Sequence, residues 1–265
     1  MIEPTEHGDV TAFRLTWWRS QLIGFGVHVY AVRGVLIDTG FPAVEHDVVT
    51  LARQRAIRGA LVTHQHEDHA GNAESLAAAG IPLGMSARTR VVISRPQSIG
   101  FYRHFTWRAM PVLKSAHQPF ADDSLELMPT PGHCDDHHVV WDHDTGTVFA
   151  GDLFLGVKVR VAHAYERPAA LVASLRAMAG RKPKRLFCAH RGLIPDGAAA
   201  LAAKADWLDD VIARVRQLHA AGASESEIRR RVLGRRGLAH WFSAGDYSPD
   251  NLVRAALRED NVVAS

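Results

Sequence analysis

Apolar residues in the first third of the chain form short runs that polar turns separate. Val27–Val32 and residues 34–37 are rich in valine, isoleucine and tyrosine, and they predict two strands joined by a tight turn. Residues 44–53 carry apolar side chains at helical spacing instead, which predicts a helix. The apolar run at residues 59–63 predicts a short buried strand that ends directly before His64.

This alternation of strands and helices continues along the chain. Residues 70–79 predict an alanine-rich helix that ends at Gly80, where a left-handed backbone conformation is favoured. Further strands are predicted at residues 81–85, 125–128, 138–141, 147–150 and 185–189, and a helix that begins with proline is predicted at residues 168–179. Such an alternation is typical of layered α/β domains, and its recurrence in both halves predicts two sheets packed together.

The last quarter of the chain has a different pattern. Helices are predicted at residues 198–220, 225–233 and 249–257, and no strand is predicted after residue 198. We therefore expect a catalytic domain at residues 1–197 and a small helical C-terminal subdomain at residues 198–265.

Composition places the chain among ordinary globular proteins. It has 265 residues, of which 47% are hydrophobic and 22% are charged, and its formal net charge is +3. Its two cysteines, Cys134 and Cys188, cannot form a disulfide framework and are predicted to be small packing residues. We see neither a signal-peptide pattern nor an apolar run long enough to span a bilayer, so we expect a cytoplasmic protein without a membrane partner.

Positive charge is concentrated in residues 86–116, which contain six lysines and arginines and no acidic residue. Aromatic side chains alternate with these cations, and the combination is suited to binding an anionic substrate such as a nucleotide, a thioester or RNA. The candidate substrate-binding residues are Arg103, Arg108, Tyr102 and Trp107. A solvated helical hairpin packed by its own aromatic residues is the alternative interpretation.

Four candidate metal ligands follow the predicted strand at residues 59–63. His64 and His66 point to the same face of an extended segment, because side chains alternate along it. Two converging imidazoles are typical of a site for a divalent transition metal. Asp68 and His69 come next, where the chain enters a helix, and they can face a neighbouring point.

Three more candidate ligands follow other predicted strands. His133 lies on a Pro-Gly turn, Asp152 comes directly after the strand at 147–150, and His190 comes directly after the strand at 185–189. Residues at strand ends can meet at one edge of a sheet, so we expect these side chains to complete the metal site. His137 and His138 are predicted to support the ligands by hydrogen bonds.

Together these residues resemble the ligand set of the metallo-β-lactamase-fold hydrolase superfamily, and Asp38-Thr39-Gly40 resembles an early signature of that fold. The resemblance covers residues from about 15 to 195. It implies a four-layer αββα sandwich of the α+β or α/β class. It also implies one metal site formed by His64, His66 and His133, a second formed by Asp68, His69 and His190, and Asp152 as the bridge between them.

The chemistry that this resemblance implies is hydrolysis by a hydroxide that bridges two divalent metal ions. Zinc is the default metal for such a site, and iron and manganese are alternatives. Asp68 is the candidate catalytic residue that orients the hydroxide and moves its proton. We expect an ester, a thioester or a similar small molecule as substrate, with an anionic substrate included.

Residues 130–156 resemble the beta-lactamase-like protein 2 branch of the superfamily, which includes an endoribonuclease. A metal-dependent ribonuclease or other phosphodiesterase, with RNA as partner, is therefore an alternative function. A mononuclear iron oxygenase on the same fold is another. The sequence leaves the substrate and the oligomeric state open.

Overall fold

The structure is a computed structural model that describes residues 1–258, and these form two compact units. The first unit comprises residues 1–129, 136–152 and 184–195. The second comprises residues 130–135, 153–183 and those from 196 onward. The predicted domain boundary after residue 197 is a different division of the chain and stays a prediction.

The first unit contains a six-stranded sheet whose strands follow one another in chain order. Its strands are β1 (Ile2–His7), β2 (Val10–Leu15), β3 (Val27–Val32), β4 (Val35–Ile37), β5 (Gly59–Leu61) and β6 (Leu83–Gly84). The pairs from β1 to β4 are antiparallel, whereas β4, β5 and β6 are parallel. The predicted turn between β3 and β4 is confirmed, since Arg33 and Gly34 both have positive φ angles.

A second sheet in this unit has five strands, β7 (Leu125–Pro129), β8 (His138–Asp142), β9 (Thr147–Phe149), β11 (Arg185–Cys188) and β12 (Gly192–Ile194). Their order in the sheet is β12-β11-β9-β8-β7. The strands β9 and β11 are parallel. Consequently their carboxyl ends, which precede Asp152 and His190, lie at the same edge of the sheet.

Apolar side chains join the two sheets of the first unit. Tyr30 of the first sheet packs against Phe149 and Phe187 of the second, with ring centroids 5.4 and 5.1 Å away. A separate apolar cluster contains Phe41 and side chains of the helices α2 (Glu45–Gln54) and α3 (Ala73–Ala78). The first unit therefore has helix, sheet and sheet layers, which are three of the four predicted layers.

Three other helices of the first unit are α1 (Trp18–Leu22), α4 (Ala87–Ile93) and α5 (Phe101–Trp107). The helices α4 and α5 contain much of the basic segment 86–116. The helix α1 and the strands β1, β2 and β12 were not predicted from the sequence. The strand β1 is mostly exposed and polar, so it lacks the apolar alternation from which strands are predicted.

The second unit is mainly helical. Its helices are α6 (Pro168–Gly180), α7 (Gly197–Ala220), α8 (Glu225–Val232), α9 (Leu238–Phe242) and α10 (Pro249–Arg258). The prediction that the C-terminal region contains no strand was wrong, because β13 (Tyr247–Ser248) pairs with β10 (Ala162–His163). A two-residue strand is too short to show an alternating pattern. Within residues 1–258, no helix combines the length and apolar character needed to cross a membrane.

Candidate metal centre

Strand ends of both sheets position six of the predicted ligands in the first unit. Donor atoms of His64, His66 and Asp152 lie within 4.8 Å of one another. Donor atoms of a second group, Asp68, His69 and His190, also lie within 4.8 Å of one another. Five of these side chains are buried, and that of His190 is 20% exposed.

Asp152 lies between the two groups of donor atoms. Its Oδ1 is 3.3 Å from Nε2 of His69 and 3.3 Å from Nε2 of His190. Oδ2 of Asp68 approaches the same two nitrogens, at 3.8 Å from His69 and 3.3 Å from His190. Asp152 thus belongs to the first group by its distances and contacts the second, which is the position that a bridging carboxylate needs.

Hydrogen bonds donated by Nδ1 orient two of these imidazoles. Nδ1 of His69 donates to Oδ2 of Asp38 at 2.7 Å, and Nδ1 of His190 donates to the carbonyl oxygen of Gly26 at 3.1 Å. In a neutral imidazole the proton on Nδ1 leaves the lone pair on Nε2. In the neutral form of each ring, Nε2 therefore presents its lone pair toward the oxygens of Asp68 and Asp152.

The pKa values of these groups show how strongly the cluster attracts positive charge. Burial lowers the pKa of the His69 imidazole, but the carboxylates of Asp152, Asp38 and Asp68 outweigh burial and leave that pKa well above its ordinary value. His190 shows the same balance, with Asp152 and Asp68 raising its pKa. Burial opposes ionisation of Asp152, yet His69 and His190 hold its pKa well below the ordinary value.

The donor set fits divalent metal ions. Imidazole nitrogens and carboxylate oxygens converge on a small buried volume, and their lone pairs face one another. Such groups repel unless a proton or a metal cation lies between them. Imidazole combined with carboxylate is suited to zinc, iron or manganese. The cluster could therefore bind metal ions.

A network of hydrogen bonds supports the turn that carries the first four candidate ligands. Asp38 accepts hydrogen bonds from the backbone N–H and the hydroxyl of Thr63, in addition to the one from His69. Oδ2 of Asp136 accepts from the backbone N–H of Gln65 and from the hydroxyl of Thr89. The role of Asp136 was not predicted, because a carboxylate 71 residues away along the chain gives no local signal.

His137 supports the site from the other sheet. Its Nε2 accepts a hydrogen bond from the backbone N–H of Asp152 at 3.0 Å. A Cβ on Gly151, which has a φ of +46°, would lie 2.9 Å from the same nitrogen, so this position requires glycine. The expected supporting role of His137 agrees with this contact, whereas Nδ1 of His138 contacts the carbonyl oxygen of Asp136.

His133 lies in the second unit, on the turn after β7. The carbonyl oxygen of Gly132 accepts a hydrogen bond from the backbone N–H of Arg167, and a Cβ on Gly132 would lie 2.4 Å from the backbone of Leu171. The turn is therefore held against the start of α6. Nδ1 of His133 is 3.6 Å from Oε1 of Glu166. Its role as a metal ligand stays a prediction.

The four candidate substrate-binding residues have different surroundings. Trp107 is buried, and its ring centroid is 6.5 Å from that of His190. Arg108 is exposed and lies over the ring of Trp17, 5.2 Å from its centroid. Tyr102 is half-buried on α5. Arg103 forms a two-point ion pair with Glu67, a residue that sequence analysis did not single out.

Comparisons with known proteins agree with this geometry. The profile of the Metallo-beta-lactamase superfamily matches residues 22–190. The Beta-lactamase-like protein 2 homolog of Drosophila melanogaster is 26% identical over 199 residues, which cover 70% of this chain and 62% of that protein. A Hydroxyacylglutathione hydrolase from Shewanella oneidensis is 29% identical over 157 residues, which cover 58% of this chain and 56% of that protein. The chain thus matches less than two thirds of the length of either relative.

A solved structure shows the fold over nearly the whole chain. A metallo-beta-lactamase family protein from Thermus thermophilus superposes with a TM-score of 0.66 at 17% identity, covering 96% of this chain and 94% of that one. The fold class predicted from the sequence is confirmed. Because the profile covers more than half of the residues and the fold agrees, the chain belongs to the metallo-beta-lactamase superfamily.

Proposed function

We propose that this protein is a dinuclear metal-dependent hydrolase of small ester or thioester substrates. The observation that carries the proposal is the position of Asp152, whose Oδ1 lies 3.3 Å from Nε2 of both His69 and His190 while its donor atoms also group with those of His64 and His66. One carboxylate shared by two ligand groups is the arrangement that a pair of metal ions needs.

The preference for thioesters comes from the relatives. A protein named Hydroxyacylglutathione hydrolase is 29% identical over 58% of this chain. Esters and thioesters both present an electrophilic carbonyl carbon, so one site can serve both. The proposed ligand assignment places His64, His66 and His133 around one ion and Asp68, His69 and His190 around the other, with zinc as the default metal.

When bound, divalent ions supply Lewis acidity, which lowers the pKa of coordinated water and polarises a substrate oxygen. The residues of the chain determine the geometry. Asp38 and the carbonyl oxygen of Gly26 fix the tautomers of His69 and His190, so that their Nε2 lone pairs point inward. His137 accepts the backbone N–H of Asp152 and so fixes the backbone from which this carboxylate extends.

Asp68 is the proposed proton carrier. Its carboxylate is buried, and burial raises its pKa. The positively charged imidazoles of His69 and His190 outweigh burial and hold that pKa below its ordinary value, so the carboxylate is ionised. An ionised carboxylate at this position can accept a proton from the attacking water and deliver it to the leaving alcohol or thiol. Asp68→Asn should keep the shape of this side chain and remove that capacity.

The experiment that tests the proposal measures metal content and activity on the same purified protein. Elemental analysis should give two ions per chain. Hydrolysis rates on a matched ester, thioester and phosphodiester should show that the carbonyl substrates react and that a chelator abolishes the reaction. One iron per chain with no hydrolysis would instead favour the oxygenase, and reaction with the phosphodiester or RNA alone would favour the ribonuclease.

A further inference from the structure

Glu67 is a buried acidic residue between two proposed metal ligands, His66 and Asp68. Its side chain is 2% exposed. Oε1 accepts a hydrogen bond from Nε of Arg103 at 2.7 Å, and Oε2 accepts a second one from Nη2. Two parallel hydrogen bonds between a guanidinium and a carboxylate fix the relative orientation of both groups. The ligand turn is therefore tied to a residue that follows it by 36 positions.

The backbone of Glu67 is also confined. A Cβ placed on Gly71 would lie 2.1 Å from the carbonyl oxygen of Glu67 and 2.6 Å from that of Gly40. The backbone N–H groups of His69 and Ala70 both donate to the carbonyl oxygen of His66. This close packing leaves the turn little freedom to absorb a displacement of the Glu67 side chain, so any displacement would be transmitted to the neighbouring ligands.

Arg103 and Trp107 are four residues apart on α5, and side chains at this spacing lie on the same face of a helix. Arg103 contacts Glu67 on the ligand turn, while the ring of Trp107 lies beside His190. Trp107 is also packed against Phe41, with ring centroids 4.8 Å apart. One face of α5 therefore contacts two segments that carry proposed ligands.

We propose that Arg103 and Glu67 are positioning residues for the metal centre, and that α5 supports the ligand turn through this ion pair. The inference rests on the proposed function only in that the cluster binds metal. It replaces the expectation that Arg103 binds an anionic substrate. The donors Nε and Nη2 of Arg103 already bind the two carboxylate oxygens of Glu67. Its side chain is 15% exposed, which leaves little surface for a ligand.

Zinc binding to the metal-free protein provides the test, measured by competition with a chromophoric chelator. The variants are Arg103→Met, Glu67→Gln and the double variant, with Arg95→Met as the matched control. Arg95 is an exposed arginine in the same basic segment. We expect Arg103→Met to weaken zinc binding by about 10-fold to 100-fold, which is the usual effect of removing a group that supports metal ligands. Glu67→Gln should weaken it less.

The double variant distinguishes a shared role from two independent ones. If the two residues act through their ion pair, the double variant should bind zinc no more weakly than Arg103→Met alone. Unchanged zinc affinity in both single variants overturns the inference. Substrate kinetics give a second readout, since a positioning role lowers kcat equally for matched neutral and anionic esters.

An anion-binding role for Arg103 would give the opposite kinetic pattern. Arg103→Met would then raise KM for the anionic ester alone, and Glu67→Gln would lower that KM by releasing the guanidinium. This result overturns the inference.

Should Arg103→Met not fold, Arg103→Lys keeps the charge without the two-point geometry, and we expect an intermediate loss of zinc affinity. Wild-type protein that binds no zinc contradicts the proposed function, whereas zinc-binding wild type with unaffected variants contradicts only the positioning role.

Discussion

Asp38 accepts a 2.7 Å hydrogen bond from Nδ1 of His69, and both side chains are buried. The same carboxylate also accepts the backbone N–H and the hydroxyl of Thr63, the residue that precedes the first proposed ligand. Asp38 itself has a positive φ of 62°, at the end of β4. A single carboxylate thus fixes both the start of the ligand turn and the imidazole at its other end.

Replacement of Asp38 by asparagine should weaken metal binding. The amide preserves the shape but carries no charge, and its NH₂ group cannot accept the proton of either the imidazole or Thr63. We expect a 10-fold to 100-fold rise in the zinc dissociation constant, about the usual effect of such a group. We also expect a loss of about 1.5–3 kcal/mol of stability, since a hydrogen bond to a charged group is lost.

The control for this variant is Asp144→Asn, because Asp144 is a carboxylate with a side chain 64% exposed. Zinc titration and chemical denaturation of both variants provide the measurements. If Asp38→Asn binds zinc as tightly as the control, the carboxylate does not orient His69 in the way described.

Removal of Asp152 should prevent binding of the metal pair. Its Oδ1 lies 3.3 Å from Nε2 of both His69 and His190, and its donor atoms also group with those of His64 and His66. Asp152→Ala should therefore retain at most one zinc ion per chain and lose hydrolytic activity. Elemental analysis after dialysis measures the stoichiometry, and two ions per chain in the variant would refute the bridging assignment.

The regular elements of the fold could be predicted where their side chains show a clear periodicity. The helix predicted at residues 44–53 is α2 (Glu45–Gln54), and the strand Val27–Val32 has the predicted bounds. The strand β13 could not be predicted, since two residues carry no period. Its pairing with β10 depends on a partner more than 80 residues away along the chain.

The candidate ligands could be proposed from sequence because each follows a predicted strand, and strand ends meet at an edge. The groups that support them could not. Asp136 reaches Gln65 across 71 residues, and Arg103 reaches Glu67 across 36. The concentration of positive charge in residues 86–116 placed Arg103 among the cations available to a substrate. The sequence does not reveal that the buried carboxylate of Glu67 is already paired with Arg103.

Gly71→Ala tests the close packing behind the ligand turn. The added Cβ would meet the carbonyl oxygens of Glu67 and Gly40, neither of which can rotate away as a side chain end could. Overpacking of this kind typically costs about 1–3 kcal/mol. We expect that loss in chemical denaturation, together with weaker zinc binding. Gly180→Ala is the control, since nothing lies within 4 Å of its Cβ position, and it should leave zinc binding unchanged.

Arg108, the residue that follows α5, is the cation that we propose to meet an anionic substrate. It is exposed, lies over the ring of Trp17 and follows Trp107, whose ring is beside His190. Arg108→Gln should raise KM for an anionic ester about twofold to fivefold, as expected for an exposed ion pair worth up to about 1 kcal/mol. KM for a matched neutral ester should not change, and salt near 1 M should remove the difference because screening then acts over about 3 Å. Steady-state kinetics of Arg108→Gln beside Arg95→Gln measure the effect. Equal changes for both esters would show that Arg108 does not recognise substrate charge.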